Sequence, residues 1–214
     1  MSPVSRRRSP PATRALAATE PRTKARAQKV SVSALIALVV VALAVYALDQ
    51  GSKYLIVANL NENDQIEVLG TLLQFRFVKN SGAAFSLASG TTWIFSIAAS
   101  AVTVFILYFA RRIRSIGWAV LFGMLLGGTT GNLTDRLFRE PGFGVGHVVD
   151  FVQIAGFPAI FNIADSFICA SMVLFVILTV RGVHLDGSRT VKPHAVAEPA
   201  AADGTQPDDT RPKD

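Results

Sequence analysis

A chain of 214 residues in which half are apolar and only 17% are charged has room for one domain, and its apolar residues lie in long unbroken runs with the charges between and outside them. That distribution excludes an ordinary water-soluble core and points to a membrane protein. The net charge of +6 comes with no aromatic-interleaved basic patch, so no nucleic acid partner is expected, and the single cysteine, Cys169, excludes an internal disulfide.

Residues 1–30 are rich in Arg, Ala, Pro and Ser and are expected to be a disordered basic tail. A first apolar run, roughly residues 31–48, is close to the ~20 residues a helix needs to cross a membrane. With its basic start and Val45-Tyr46-Ala47 it also resembles a cleavable signal peptide, but removal would leave three spans and discard the polar cluster that begins at Asp49. Asp49 and Lys53 are four apart and can pair on one helix face, with Gln50 at the same depth. Gln74 to Phe77 alternates polar and apolar residues as a strand does, and Val78 to Phe85 sets Asn80 and Gly82 among small residues, which suits close approach of another backbone.

A second span covers roughly residues 91–110, and the turn Arg111-Arg112-Ile113-Arg114 leads to a third at about 116–133. In the third, Ala119, Gly123, Gly127 and Gly131 recur every four residues, the pattern of a close helix-packing ridge. Asn132, Asp135 and Arg136 at its end either cap the helix, pair with one another or shape a polar pocket. Residues 147–154 are rich enough in Val and Phe for a second strand, with Asp150 inside the apolar stretch and His147 read as a surface residue. The fourth span, about 159–180, places Asp165 about five residues, or ~7 to 9 Å, below its start, with Asn162 and Cys169 on the same helical face. Cys169 is read as a small packing residue, and residues 183–214 as a second disordered tail.

Orientation follows from the basic residues. Sixteen of the 21 Lys and Arg fall in residues 1–30, the 111–115 turn and the segment after residue 180, against five on the other side: Lys53, Arg76, Lys79, Arg136 and Arg139. The positive-inside rule then puts both termini in the cytoplasm and the carboxylates near the outer face. The expected architecture is an all-α polytopic membrane protein of four transmembrane helices with a small extracytoplasmic β-element, in which residues 31–182 form the membrane domain.

Ionisable groups at membrane depth are functional by default, although packing, pairing or snorkelling is the ordinary alternative for each. Asp49, Asp135, Asp150 and Asp165 all gather on the outer side, which disfavours a proton-coupled carrier, whose carboxylates would be distributed through the depth. A serine–lysine dyad of Ser52 or Ser81 with Lys53 is a second rival, but adjacent Ser52 and Lys53 point about 100° apart on a helix.

Asp49-Gln50-x-x-Lys53, Asn80-x-Gly82-Ala83-Ala84-Phe85, Gly127-Gly128-x-x-Gly131-Asn132-x-x-Asp135-Arg136, Val149-Asp150-Phe151 and Phe161-Asn162-x-Ala164-Asp165 together closely resemble bacterial lipoprotein signal peptidase, the type II signal peptidase. The likeness covers roughly residues 31–182, with all five motifs in order and both tails outside the pattern. It implies an aspartic endopeptidase of the bacterial inner membrane that cleaves a prolipoprotein just before its S-diacylglyceryl cysteine, with no metal or cofactor and with membrane lipids around it. By the same resemblance Asp150 and Asp165 are the catalytic pair, and Asp49, Lys53, Asn80, Gly82, Asn132, Asp135, Arg136 and Asn162 bind substrate or support the pocket, Asp135 as a supporting residue. The chemistry is coherent by itself, because two carboxylates held close share one proton and so provide a base and an acid together.

Overall fold

The computed structural model describes residues 31–82 and 91–189. The first expected tail, residues 1–30, residues 190–214 of the second, and the Ala83-Ala84-Phe85 part of the small-residue motif lie outside the described residues, whereas residues 183–189, expected as the start of the second tail, are described and bond back to the helices. The elements in chain order are α1 (Val32–Asn59), β1 (Gln65–Leu69), β2 (Leu73–Asn80), α2 (Thr92–Phe109), α3 (Ile116–Phe138), β3 (Val148–Ile154) and α4 (Ile163–Val180). A single 3-10 turn, Ala110–Arg112, links α2 to α3.

All four helices are long and apolar enough to span a membrane. Each turns large apolar side chains outward, among them Val40 and Leu43 on α1, Val104 and Leu107 on α2 and Val173 and Val176 on α4. In hydrocarbon that exposure carries no hydrophobic cost, so the helices associate by close packing instead. The most enclosed is α3, which packs against α1, α2 and α4. Its small residues make this possible: a Cβ built at Gly123 or Gly127 would come within 2.6–2.8 Å of a carbonyl oxygen of α1, and one at Gly128 within 2.8 Å of the Ala164 carbonyl of α4. The expected ridge at Gly123, Gly127 and Gly131 is therefore the seam between α1 and α3.

Three boundaries differ from expectation. Helix α1 continues to Asn59 and α3 to Phe138, so Asp49, Lys53, Asp135 and Arg136 are intrahelical and buried. Hydropathy ends a span where charge begins, but these charges satisfy one another inside the fold and the helix has no reason to stop. Helix α4 starts at Ile163 rather than near residue 159, with Asn162 as its N-cap. Asp165 thus sits in the first turn, not five residues down, and Asn162 is an extended cap residue, not a member of a helical face shared with Asp165 and Cys169. Cys169 is exposed.

The strands form an antiparallel sheet in the order β1-β2-β3. Both expected strands are present, and β1, all of whose residues are exposed, is an addition that the short Gln65–Leu69 run did not announce. Phe77, Val149 and Phe151 pack with Ile56 of α1, which seats the sheet on the far end of that helix. In the β2–β3 register Val78 faces Asp150 and Asn80 faces Val148, past an irregularity between Phe75 and Val78. At the other end, the turn after α4 docks on the α2–α3 connection: Leu185 accepts hydrogen bonds from the Arg114 and Ser115 N–H groups at 2.9 and 3.1 Å, and Val183 accepts from the Trp118 indole at 2.9 Å.

Candidate active site

Strand β3 carries Asp150 into the protein with only 2% of its surface exposed. Two amides receive its carboxylate: Asn80 Nδ2 donates to one oxygen at 2.7 Å and Asn162 Nδ2 to the other at 2.6 Å. Burial raises the Asp150 pKa from the ordinary 3.8 to about 6, and the nearby Asp165 charge pushes the same way, while the two amides and Lys53 pull against it.

Asp165 is half-buried at the third position of α4. Asn162 Oδ1 accepts from the Asp165 N–H at 3.0 Å, and the Asn162 N–H donates back to Asp165 Oδ2 at 3.2 Å. This reciprocal cap satisfies two N–H groups that a helix start leaves unpaired. The second oxygen of Asp165 accepts from Asn132 Nδ2 at 2.8 Å. Asn162 is therefore shared by the two carboxylates, reaching Asp150 with its side chain and Asp165 with its backbone.

Behind the pair lies a fully buried ionic cluster. Lys53 Nζ sits 2.8 Å from Asp49 Oδ2, 2.8 Å from Asp135 Oδ2 and 2.9 Å from Asn132 Oδ1. All three ammonium hydrogens are thereby used. Asp135 also accepts from Arg139 Nε at 2.7 Å and from the Val149 N–H at 3.3 Å, and Asp49 from the Ala164 N–H at 2.9 Å. Gln50 Nε2 closes the group on the Gly131 carbonyl at 3.0 Å. Gly131 is required here, since a Cβ would strike Asp49 Oδ2.

The third side is built around Gly82, whose φ of +89° favours glycine and whose absent Cβ would lie 2.7 Å from the Phe95 ring and 3.1 Å from Arg136. Asn80 Oδ1 accepts from the Gly82 N–H at 2.7 Å, so the residue that holds Asp150 also fixes this turn. The Arg136 guanidinium stands 5.1 Å from the Phe95 ring centre and 3.5 Å from the Ser81 carbonyl.

All ten residues named from the sequence are thus connected, directly or through one neighbour. Arg139 was not among them, although its position four residues after Asp135 is the ordinary spacing for a helical ion pair. For the serine–lysine alternative, Ser52 Oγ donates to the Asp49 carbonyl at 2.8 Å, and Lys53 Nζ is taken up by Asp49, Asp135 and Asn132 rather than by the hydroxyl of Ser52 or Ser81. His147 is half-buried in the loop before β3.

The sequence profile of the family described as signal peptidase (SPase) II matches residues 41–181. The lipoprotein signal peptidase of Leifsonia xyli is 61% identical over 175 residues, which is 82% of this chain and 79% of that protein. That of Streptomyces coelicolor is 48% identical over 151 residues, 71% of this chain and 74% of the relative. A solved bacterial membrane enzyme, 28% identical, superposes with a TM-score of 0.61 over 73% of this chain and 99% of its own.

Proposed function

The chain belongs to the signal peptidase II family, and on that premise we propose that it is an aspartic endopeptidase that cuts prolipoproteins immediately before the S-diacylglyceryl cysteine. The observation that carries the reading is the sharing of Asn162 between Asp150 and Asp165, one carboxylate deeply buried and the other half-open at the start of α4.

In this mechanism the pair holds a single proton. Asp150, whose burial raises its pKa to about 6, is suited to carry it. Ionised Asp165 takes a proton from water as the oxygen attacks the scissile carbonyl, and Asp150 donates to the carbonyl oxygen. The tetrahedral intermediate then collapses: a hydroxyl of the intermediate returns its proton to Asp150 as the carbonyl reforms, and the proton held by Asp165 passes to the departing amine of the cysteine. The peptide C–N bond is the one broken, water supplies the new C–O bond, and no acyl-enzyme forms. Half-buried Asn132, which donates to Asp165, and Arg136, whose guanidinium lies beside the Gly82 turn, are assigned to orienting substrate. Lys53 is assigned to support, because its three hydrogens are already used inside the protein.

Both termini are placed in the cytoplasm and the carboxylates near the outer face, on the strength of the basic residue distribution. Residues 31–182 form the peptidase unit in this reading, with the two tails outside it. The acyl chains of the substrate stay in the bilayer, which fixes the depth of the scissile bond and contributes apolar burial at about 25 cal/mol per Å². The test is to incubate purified protein with a synthetic lipobox peptide, with and without the diacylglyceryl group, and map the cut by mass. Cleavage before the modified cysteine is expected, with poor cleavage of the unmodified peptide. Equal cleavage of both would remove lipid recognition from the account.

A further inference from the structure

The buried ionic cluster repeats one arrangement twice. Asp49 accepts from the N–H of Ala164, the residue immediately before Asp165. Asp135 accepts from the N–H of Val149, the residue immediately before Asp150. Both acceptors are held by the same Lys53 ammonium, each at 2.8 Å. The third hydrogen of Lys53 goes to Asn132 Oδ1, which also accepts from Asn162 Nδ2 at 3.1 Å, and together they turn the Asn132 amide so that its Nδ2 donates to Asp165. One ammonium therefore grips the chain just upstream of each carboxylate and orients a direct partner of one of them.

We propose that Lys53 is a positioning residue that sets the separation of Asp150 and Asp165, acting through Asp49, Asp135 and Asn132 as a two-armed clamp. This rests on the aspartic reading above and adds a cause for its geometry. The two carboxylates come from different elements: Asp150 from the sheet, and Asp165 from a helix that enters after an extended approach. The bonds that span from one to the other pass through Asn162 and through this cluster. A hydrophobic contact would not define the distance, because apolar packing is not directional. Three charge-assisted bonds on one tetrahedral nitrogen do. Full burial suits that task, since water does not compete for any of the acceptors: Lys53, Asp49 and Asp135 all have 0% exposure.

Separation governs chemistry here, because the proton shared by two carboxylates is bound more or less tightly according to their distance. Loosening the clamp should lower turnover and narrow the pH range over which kcat is maintained, without changing how the substrate is held. The other charged groups facing the pair are Arg136 and Asp135 of α3 and Asp49 of α1. A variant that conserves net charge is therefore needed.

The Lys53→Met/Asp49→Asn double variant leaves Asp135 paired with Arg139 and adds no net charge. The full-length protein in detergent is assayed on diacylglyceryl lipobox peptide beside wild type, Asp49→Asn and Asp150→Asn. For the folded double variant the expected result is a kcat at least about 30-fold lower, KM within about threefold, and acid and alkaline limbs of the kcat profile drawn together. Asp49→Asn releases one arm, because its amide cannot both accept from Ala164 and face the Lys53 ammonium. It should show a smaller kcat loss in the same sense, and it provides the reading if the double variant does not accumulate. Wild-type kcat and unmoved limbs, a loss confined to KM, or failure of both variants to fold would each overturn the clamp. Activity in Asp150→Asn would overturn the aspartic reading instead, so the two failures are distinguishable.

Discussion

Asn162 and Asp165 cap each other's backbone at the first turn of α4, with the Asp165 N–H donating to Asn162 Oδ1 at 3.0 Å and the Asn162 N–H to Asp165 Oδ2 at 3.2 Å. A common helix-start motif is thus also the device that fixes the direction of a proposed catalytic carboxylate. Asn162→Ala removes the cap, at about 1 kcal/mol, and the donor to Asp150 with it. Asn162→Asp keeps a competent cap but replaces that donor with a third carboxylate. A third carboxylate buried against two others lowers stability as well, so a reduced thermal midpoint and, for the folded fraction, cleavage reduced at least about 100-fold are expected for Asn162→Asp. If Asn162→Asp cleaves as well as wild type, the amide donor does not matter to the chemistry.

The Asp150 pKa, raised by burial from 3.8 to about 6, makes stability depend on pH. A raised folded-state value means that the contribution of Asp150 is fully present below about pH 3.8 and lost as pH rises through about 6. Relative to wild type, Asp150→Asn should therefore gain about 3 kcal/mol between pH 4 and 7, with no further gain above. A constant offset is superposed, because an amide cannot accept from both Asn80 and Asn162. Denaturant or detergent unfolding across that range measures the slope, and a difference independent of pH would contradict the burial of an ionisable group there. Since the Asp165 charge is one cause of the shift, Asp165→Asn should lower the Asp150 value, read from its carboxyl infrared band.

Two glycines separate propensity from packing. Gly51 is in α1 with nothing within 4 Å of a built Cβ, so Gly51→Ala should stabilise by about 1 kcal/mol. Gly131→Ala has the same propensity gain but drives its methyl into Asp49, which Lys53, Gln50 and Ala164 hold in place. Net destabilisation and a loss of cleavage should follow, and a stabilised, active Gly131→Ala would show that the cluster is looser than described.

Orientation has a separate test. A reporter active only outside the cytoplasm should work when inserted near Asn63, in the turn after α1, and fail when fused after Arg189. The reverse pattern would place the carboxylates on the cytoplasmic side and remove the substrate assignment with them.

Four spans were legible because hydropathy over a membrane-length window is a strong signal, and the Gly123-Gly127-Gly131 ridge because its period matches the helix. The ends were not legible. The Asp49–Lys53 pair could be read from its spacing of four, but its burial and its pairing across to Asp135 on α3 depend on the three-dimensional fold, so the charges still looked like the ends of the spans. The same holds for Asn162, whose residue type marks a helix cap but whose reach to Asp150, twelve positions earlier, depends on how β3 turns back to α4. Strand β1 alternates polar and apolar residues over Gln65-Ile66-Glu67-Val68 much as β2 does, but the run is short and all five strand residues are exposed, so no buried face sets it apart from a loop.

The measurement that bears most directly on the aspartic mechanism is the turnover of diacylglyceryl lipobox peptide by Asp150→Asn and Asp165→Asn, each purified and shown to be folded. Amide replacement keeps size and opens no cavity, so it isolates the proton chemistry. A positioned acid or base contributes about 10² to 10⁴ in rate, and members of a pair that act as a unit fail together. Each variant should therefore fall below about a hundredth of wild-type turnover. If either kept more than about a tenth, Asp150 and Asp165 would not be the catalytic pair.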